Sequence, residues 1–93
     1  MHEIVLYGRG GCHLCDEART ILGALLAERH TAGLPCPRLV ERDITTDPAW
    51  ERAFLNAIPV VELGDRRVEL ATSPAKLRAL LASLDVGQAR SAT

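Results

Sequence analysis

The chain has 93 residues, enough for one domain with a single hydrophobic core, and its 47% hydrophobic and 25% charged residues are typical of a globular protein. A formal net charge of −1, one residue each of Phe, Trp and Tyr, and the lack of a basic run give no support to nucleic-acid binding. No apolar stretch approaches the ~20 residues of a membrane span, so we expect neither a nucleic-acid partner nor a membrane.

The N-terminal stretch and the cysteine count bear on the cellular compartment. The chain starts directly with an apolar segment that carries Glu3, without the charged start and small-residue cleavage site of a signal peptide. We therefore expect a cytoplasmic location. In that reducing compartment three cysteines do not indicate a structural disulfide framework, and a Cys-x-x-Cys pair favours catalysis or metal binding.

The first two predicted elements surround that cysteine pair. The stretch "HEIVLYG" predicts a strand that ends at Gly8. From Cys15 onward the apolar residues recur with the spacing of one helix face, which predicts a helix whose inner residues are Ala18, Ile21, Leu22, Leu25 and Leu26. Cys15 belongs to that buried face, whereas Cys12 lies in the first turn and is expected to be exposed.

A break at Gly33, Pro35 and Pro37 leads to a second strand near residues 39–43. This strand mixes charged with apolar residues, which is typical of a sheet edge. Asp47 as N-cap and Pro48 at the first helical position then predict a short helix. Its expected apolar face is formed by Trp50, Ala53 and Phe54.

The C-terminal part predicts a hairpin and a last helix. In "IPVVELGDRRVEL" two short strands flank a Gly-Asp turn, with Arg66 and Arg67 expected to be solvated. Ser73 caps and Pro74 opens a helix whose inner face is Leu77, Leu80, Leu81 and Leu84. The domain is expected to span residues 1–86, with a flexible tail at 87–93.

The element order β-α-β-α-β-β-α predicts an α/β fold. Two strands joined through a helix should be parallel, in a right-handed crossover. The hairpin adds an antiparallel half, which gives a four-stranded mixed sheet with helices on both faces.

The paired thiols of "GRGGCHLCDEA" have three interpretations, which are metal binding, a scaffold with vestigial thiols, and redox chemistry. A zinc site would need about four ligands, but Cys36 sits between two prolines and neither His13 nor His30 completes the usual spacing. The sequence therefore assigns no metal ligands, although a metal or iron–sulfur carrier that shares ligands with another molecule stays open. A scaffold with vestigial thiols also stays open.

Redox chemistry suits the pair best. Disulfide exchange proceeds through a thiolate, and Cys12 is placed where the free N–H groups and positive dipole end of a helix favour that form. Gly10 and Gly11 let the loop turn tightly, and Arg9 adds a positive charge three residues before the thiol. Cys15, one turn deeper, is close enough to attack Cys12 and release a reduced product.

Several further residues are candidates for contact with a substrate. His13 can add a positive charge or be a plain surface residue. Thr72 and Ser73 can offer hydrogen bonds to a carboxylate, although helix capping is the commoner role. Pro59 opens the third strand; a cis Ile58–Pro59 bond would let Ile58 present its backbone to the thiols, but the frequency of X–Pro bonds favours trans. Cys36 is interpreted as a free thiol without a role.

The stretches "LYGRGGCHLCDEA" and "IPVVEL", with the element order, resemble a glutaredoxin-like protein of the thioredoxin superfamily over about residues 2 to 84. "GCHLCDEA" is especially similar to a small bacterial group of such proteins. The resemblance implies a thioredoxin-like fold, Cys12 as the nucleophile, Cys15 as the resolving thiol and Pro59 as a cis-proline. Arg9 matches a basic residue that can meet a glutathione carboxylate.

The chain departs from the family pattern at two places. His13-Leu14 replaces the Pro-Tyr of glutaredoxins and the Gly-Pro of thioredoxins, and "ELATSPAKL" replaces a Gly-Gly and an acidic pair that hold glutathione. The resemblance implies a thiol–disulfide oxidoreductase without a bound cofactor, with glutathione as a candidate co-substrate. It further implies protein disulfides or glutathione mixed disulfides as substrates, and glutathione or a thioredoxin reductase system as reductant. We expect a monomer.

Overall fold

A computed structural model describes residues 2–92, with side chains described through residue 85. The elements in chain order are β1 (Glu3–Gly8), α1 (His13–Thr31), β2 (Arg38–Asp43), a 3₁₀ turn (Ile44–Thr46), α2 (Pro48–Phe54), β3 (Val60–Leu63), β4 (Arg66–Val68) and α3 (Pro74–Ala92). This order is the predicted one, with the 3₁₀ turn added. The expected tail at 87–93 lies outside the residues whose side chains are described, and both it and the proposed domain limit stay predictions.

The four strands form one mixed sheet in the order β2-β1-β3-β4. β1 and β2 are parallel, in a register that runs from Glu3 opposite Arg38 to Gly8 opposite Asp43. β3 is antiparallel to both β1 and β4. The charged strand β2 is an edge, as its composition predicts, and the sheet order confirms the mixed α/β fold.

The two faces of the sheet carry separate cores because side chains alternate along each strand. Ile4 and Leu6 of β1 pack with the buried face of α1 and with α3, in a cluster completed by Ala18, Leu22, Leu25, Val61, Leu63, Ala71, Leu77, Leu80 and Leu81. On the other face Tyr7 and Val60 pack with Ile44 and Phe54. Helices therefore cover both faces, as predicted.

The short helix α2 begins as its sequence predicts but buries less than expected. Asp47 accepts a hydrogen bond from the Ala49 N–H at 2.8 Å, and Pro48 is the first helical residue. Ala53 is exposed, so its place on the apolar face was wrong. In a helix of seven residues Trp50 and Phe54, four apart, are enough to cover the sheet.

Tyr7 fixes α2 to the end of β1 through aromatic contacts. Its ring centroid lies 4.6 Å from that of Phe54 and 5.8 Å from that of Trp50. Burial and the nearby Glu62 carboxylate raise the pKa of the Tyr7 phenol, which therefore stays neutral at physiological pH. Packing is thus its role.

An ion pair that the sequence pattern does not reveal ties α1 to α3. The Arg29 side chain is buried on the inner face of α1, where its Nη2 donates to Asp85 Oδ1 at 2.5 Å and its Nε donates to the Pro35 carbonyl at 2.7 Å. None of the helices in the described part of the chain is long and apolar enough to cross a membrane.

Candidate active site

Cys12 is the N-cap residue of α1, and its sulfur takes the role that a serine or aspartate oxygen plays at other helix starts. The Cys15 N–H donates to Cys12 Sγ at 3.1 Å. One of the free N–H groups of the first helical turn is therefore aimed at this sulfur, together with the positive end of a 19-residue helix. Both effects favour a thiolate at Cys12.

Cys12 and Cys15 are joined by a disulfide, with their Cα atoms 5.2 Å apart. This separation falls within the range that disulfides require, so the N-cap and third helical positions bring the two thiols into bonding reach without backbone movement. The two sulfurs differ in access. Cys15 is 1% exposed, as predicted, and Cys12 is half-buried, less open than the exposed thiol that the sequence predicts.

Gly8, the last residue of β1, packs directly against Cys15. A Cβ atom at this position would lie 3.0 Å from Cys15 Sγ and 3.1 Å from its Cβ, tighter than most contacts that Cβ atoms make in proteins. The glycine thus lets Cys15 settle directly on the end of the strand. In the loop that follows, Gly11 adopts a φ of +68°, a left-handed conformation that favours glycine.

Pro59 lies next to Gly8, on the β3 side. Tyr7 is opposite Val60 in the register of β1 and β3. The next residues, Gly8 and Pro59, therefore lie side by side at the same end of the sheet. The Ile58–Pro59 bond is cis, as the resemblance implies, with Pro59 buried and Ile58 half-buried. The Pro59 carbonyl accepts a hydrogen bond from the Ala71 N–H at 2.9 Å.

The segment from Leu70 to Ser73 therefore passes next to Pro59. Ser73 Oγ accepts from the Lys76 N–H at 3.2 Å and the Ser73 carbonyl accepts from the Leu77 N–H at 3.1 Å, so Ser73 caps α3 as its sequence context predicts. The Thr72 N–H donates to the Leu70 carbonyl at 2.8 Å. Substrate contact by Thr72 and Ser73 stays a prediction.

On the β2 side of Cys15 there is a cavity of about 280 Å³, at the end of the two parallel strands. Its lining combines opposite charges, from Leu6, Gly8, Arg9, Gly10, Cys15, Asp16, Arg19, Glu41, Arg42 and Asp43. Arg19 crosses it and binds Glu41 at 2.5 Å and Asp16 at 2.9 Å. Arg9 and Cys15 thus line the same cavity, and contact of Arg9 with a substrate carboxylate stays a prediction.

Asp43 is held ionised at the rim of this cavity. Its Oδ1 accepts hydrogen bonds from the Thr45 backbone N–H at 2.8 Å and from Thr45 Oγ1 at 2.6 Å. These two bonds lower the pKa of the Asp43 carboxyl below its ordinary value.

His13 and Leu14, the residues between the cysteines, do not line the cavity. The His13 side chain is 88% exposed and its Nε2 lies 3.5 Å from Glu17 Oε1. Leu14 is exposed, and so is Leu70 beside Pro59. Contact between His13 and a substrate stays a prediction, since His13 already has an acidic neighbour one helical turn away.

Cys36 is a free, exposed cysteine whose sulfur lies 3.5 Å from the Leu26 carbonyl oxygen. It lies in the segment between α1 and β2, whereas the Cys12–Cys15 pair is at the start of α1. Within residues 2–92 no group of three or more His, Cys, Asp or Glu side chains is arranged to hold a metal ion.

Sequence analysis singled out the two thiols, Arg9 and Pro59. It missed the contact between Gly8 and Cys15 and the cavity on the β2 side. The signal for Gly8 was available, because a glycine that ends a strand often marks a close approach of another group. For the Arg19–Glu41 pair no local signal exists, since the two residues are 22 positions apart.

Comparisons with known proteins agree with this geometry. The family model described as Glutaredoxin-like domain (DUF836) matches residues 3–85. The X-ray structure of the structural-genomics target protein XcR50 from X. campestris is 28% identical, with a TM-score of 0.68 over 86% of this chain and 96% of that one. The solution structure of the same target is 28% identical, with a TM-score of 0.66 over 87% and 94%. No curated protein sequence matches the chain.

Proposed function

The chain belongs to the glutaredoxin-like domain family, and on that premise we propose that it is a thiol–disulfide oxidoreductase that works by a dithiol route. The observation that carries the proposal is the N-cap position of Cys12, whose sulfur accepts the Cys15 N–H at 3.1 Å. A sulfur at the positive end of a helix is the more nucleophilic of the two because its thiolate is stabilised there.

The proposed reaction has two displacements. The Cys12 thiolate attacks one sulfur of a substrate disulfide, RS–SR′, so that a Cys12–SR bond forms and R′S⁻ leaves with the electron pair of the broken bond. Cys15 then gives its proton to the departed thiolate R′S⁻ and attacks Cys12 Sγ. The Cys12–Cys15 disulfide forms, RS⁻ leaves, and the substrate has gained the two electrons that the protein has lost.

The surroundings of the pair support distinct roles for the remaining candidate residues. Ile58 and Pro59 lie at the end of the sheet next to Gly8, where a substrate backbone would approach Cys12. Arg9 offers a guanidinium for a carboxylate of glutathione or of a peptide. Thr72 and Ser73 would contact the substrate through the segment that is hydrogen-bonded to Pro59.

The wider setting of the proposal follows from this chemistry. Protein disulfides and glutathione mixed disulfides are the substrate classes, and glutathione or a thioredoxin reductase system would return the electrons. A cytoplasmic location fits a pair that must be reduced again after each turnover. The protein would act as a monomer without a resident cofactor.

Intact-mass spectrometry of the reduced protein mixed with oxidised glutathione tests the proposal. We expect the loss of two hydrogens, mapped to Cys12–Cys15. The variant Cys15→Ser should accumulate a mixed disulfide at Cys12, and Cys12→Ser should form none there. Bound metal or colour in stoichiometric amount after reducing purification, removed by a chelator, would favour the metal or iron–sulfur carrier instead. Absence of any mixed disulfide would favour a scaffold with vestigial thiols.

A further inference from the structure

A shallow groove runs between β4 and the first turns of α3, with a volume of about 470 Å³. It is lined by Arg66, Arg67 and Val68 of the strand and by Lys76, Ala79 and Leu80 of the helix. Arg66, Arg67 and Lys76 are cationic and none of the six residues is acidic, although the chain as a whole has a formal net charge of −1. Because the Arg67 side chain lies on the opposite face of the sheet, Arg66 and Lys76 are the two cations that face the groove. We call this feature the basic groove.

Two of the three cations have no acidic partner. Arg67 is bound to Glu62 through Nε and Nη2 and lies over the Phe54 ring, on the far face of the sheet. Arg66 and Lys76 make no ion pair with any carboxylate in the part of the chain that the structure describes. Ion pairs occupy Arg19, Arg29, Arg38 and Arg78. Among the described side chains outside the groove, Arg9, Arg42 and Arg52 also make none, so the groove differs in having two such cations together on one apolar surface.

The sheet register explains why Arg66 faces the groove. Arg66 is opposite Leu63 and Val68 is opposite Val61, and both β3 residues point into the core formed with α1 and α3. Arg66 and Val68 therefore share the α3 face of the sheet. Arg66 of the strand and Lys76 of the helix therefore line the groove together with the apolar side chains of Val68 and Leu80.

β4 is also the last strand of the sheet, so one of its edges pairs with no other strand among the described residues. An edge strand can accept an added strand from another chain through backbone hydrogen bonds. In such a strand every second side chain would project over the groove. Acidic residues at alternate positions would meet Arg66 and Lys76, and the backbone would pair with β4.

We propose that the basic groove is a docking site for an acidic, extended segment of a protein partner. A short segment connects the groove to the neighbourhood of Pro59, since Lys76 lies one turn from the cap residue Ser73 and Ala71 is hydrogen-bonded to Pro59. A partner held in the groove would present its own disulfide to Cys12. This last step rests on the proposed function; the docking itself does not.

The test is an NMR titration of the double variant Cys12→Ser/Cys15→Ser with an acetylated EVEVE peptide, and with a KVKVK peptide as control. Removing both thiols separates docking from redox activity, so a failure of the proposed function leaves this result intact. We expect amide shifts confined to β4 and the first turns of α3, saturation with EVEVE, and no response to KVKVK. The shifts should shrink with added salt.

Matched charge reversals identify the cations. Arg66→Glu and Lys76→Glu should each weaken EVEVE binding by about fivefold, whereas Arg52→Glu, on an exposed face of α2, should change it by less than about twofold. Where Arg66→Glu fails to fold, Arg66→Gln replaces it. Three outcomes would overturn the proposal: no saturable binding of EVEVE, shifts centred elsewhere, or a groove that binds a single-stranded DNA oligonucleotide and not the peptide. In the first case the cations only protect the sheet edge.

Discussion

The Sγ atom of Cys15 rests on Gly8, close enough that a methyl group on Gly8 would come within 3.0 Å of it. Because Cys15 is 1% exposed and packed against the end of β1, it has little room to move away. The Cys15 side chain is thus packed between the end of β1 and the helix that carries it.

This contact makes Gly8→Ala a sensitive variant. We expect it to lower the free energy of unfolding by about 1–3 kcal/mol, because an added methyl group forces Cys15 or the strand to shift. It should also slow closure of the Cys12–Cys15 disulfide, so that a mixed disulfide at Cys12 accumulates. Urea unfolding and mass spectrometry measure the two effects.

Gly10→Ala is the matched control, since a Cβ at Gly10 would have no heavy atom within 4 Å and its φ is not left-handed. Its stability should stay within about 0.5 kcal/mol of the original. Equal effects of the two alanines would show that Gly8 matters only for loop flexibility.

The buried pair between Arg29 and Asp85 should contribute strongly to stability. In Asp85→Ala the Arg29 guanidinium, whose side chain is 10% exposed, keeps only the Pro35 carbonyl as a partner. A buried charge without its counter-ion costs several kcal/mol in a dry interior, and the partly exposed Asp85 reduces this to about 2 kcal/mol. Chemical denaturation measures the difference.

The exposed pair Glu28–Arg78 joins the same two helices and provides the comparison. Glu28→Ala should cost less than about 1 kcal/mol, because both side chains are solvated. If Asp85→Ala were as mild as Glu28→Ala, Arg29 would not anchor α1 to α3.

Asp43 should make stability depend on pH in the acidic range. Hydrogen bonds from Thr45 lower the pKa of the folded-state carboxyl below its ordinary 3.8, so the unfolded chain binds the proton more readily. The contribution of the ionised carboxylate is therefore complete above 3.8 and is lost as the pH falls through the folded-state pKa.

Urea midpoints of the original chain and of Asp43→Asn, measured from about pH 6 to about pH 2, check this expectation. Asparagine keeps an acceptor for Thr45 but does not titrate. The stability difference between the two proteins should change over that range in the direction that favours Asp43 at the higher pH. A difference that does not vary with pH would contradict the role of the charge.

Local patterns predicted most of the fold. The helix spacing placed Cys15 inside, Asp47 and Ser73 were found as caps, and the Gly64–Asp65 turn joins β3 and β4. Each of these features depends on residues close in sequence, whose propensities act before any tertiary contact forms.

The features that were missed all depend on distant partners. Arg29 pairs with Asp85 across 56 positions and Arg19 pairs with Glu41 across 22. Ala53 was assigned to a buried face by period alone, because the pattern does not tell how much of a short helix the sheet covers. Arg67 is exposed, as predicted, but its pairing with Glu62 was not predicted, because only the strand register brings the two residues opposite each other.

The rate at which Cys12 reacts with iodoacetamide, compared with Cys36 in the same reduced molecule, tests most directly whether Cys12 is the nucleophile. The helix N-terminus and the Cys15 N–H stabilise the Cys12 thiolate, whereas the exposed Cys36 lies in a loop with only the Leu26 carbonyl nearby. We expect Cys12 to be modified first, and its lead over Cys36 to grow as the pH falls below the ~8.5 at which an ordinary thiol is half ionised. Modification of Cys36 as fast as Cys12 at every pH would contradict the account.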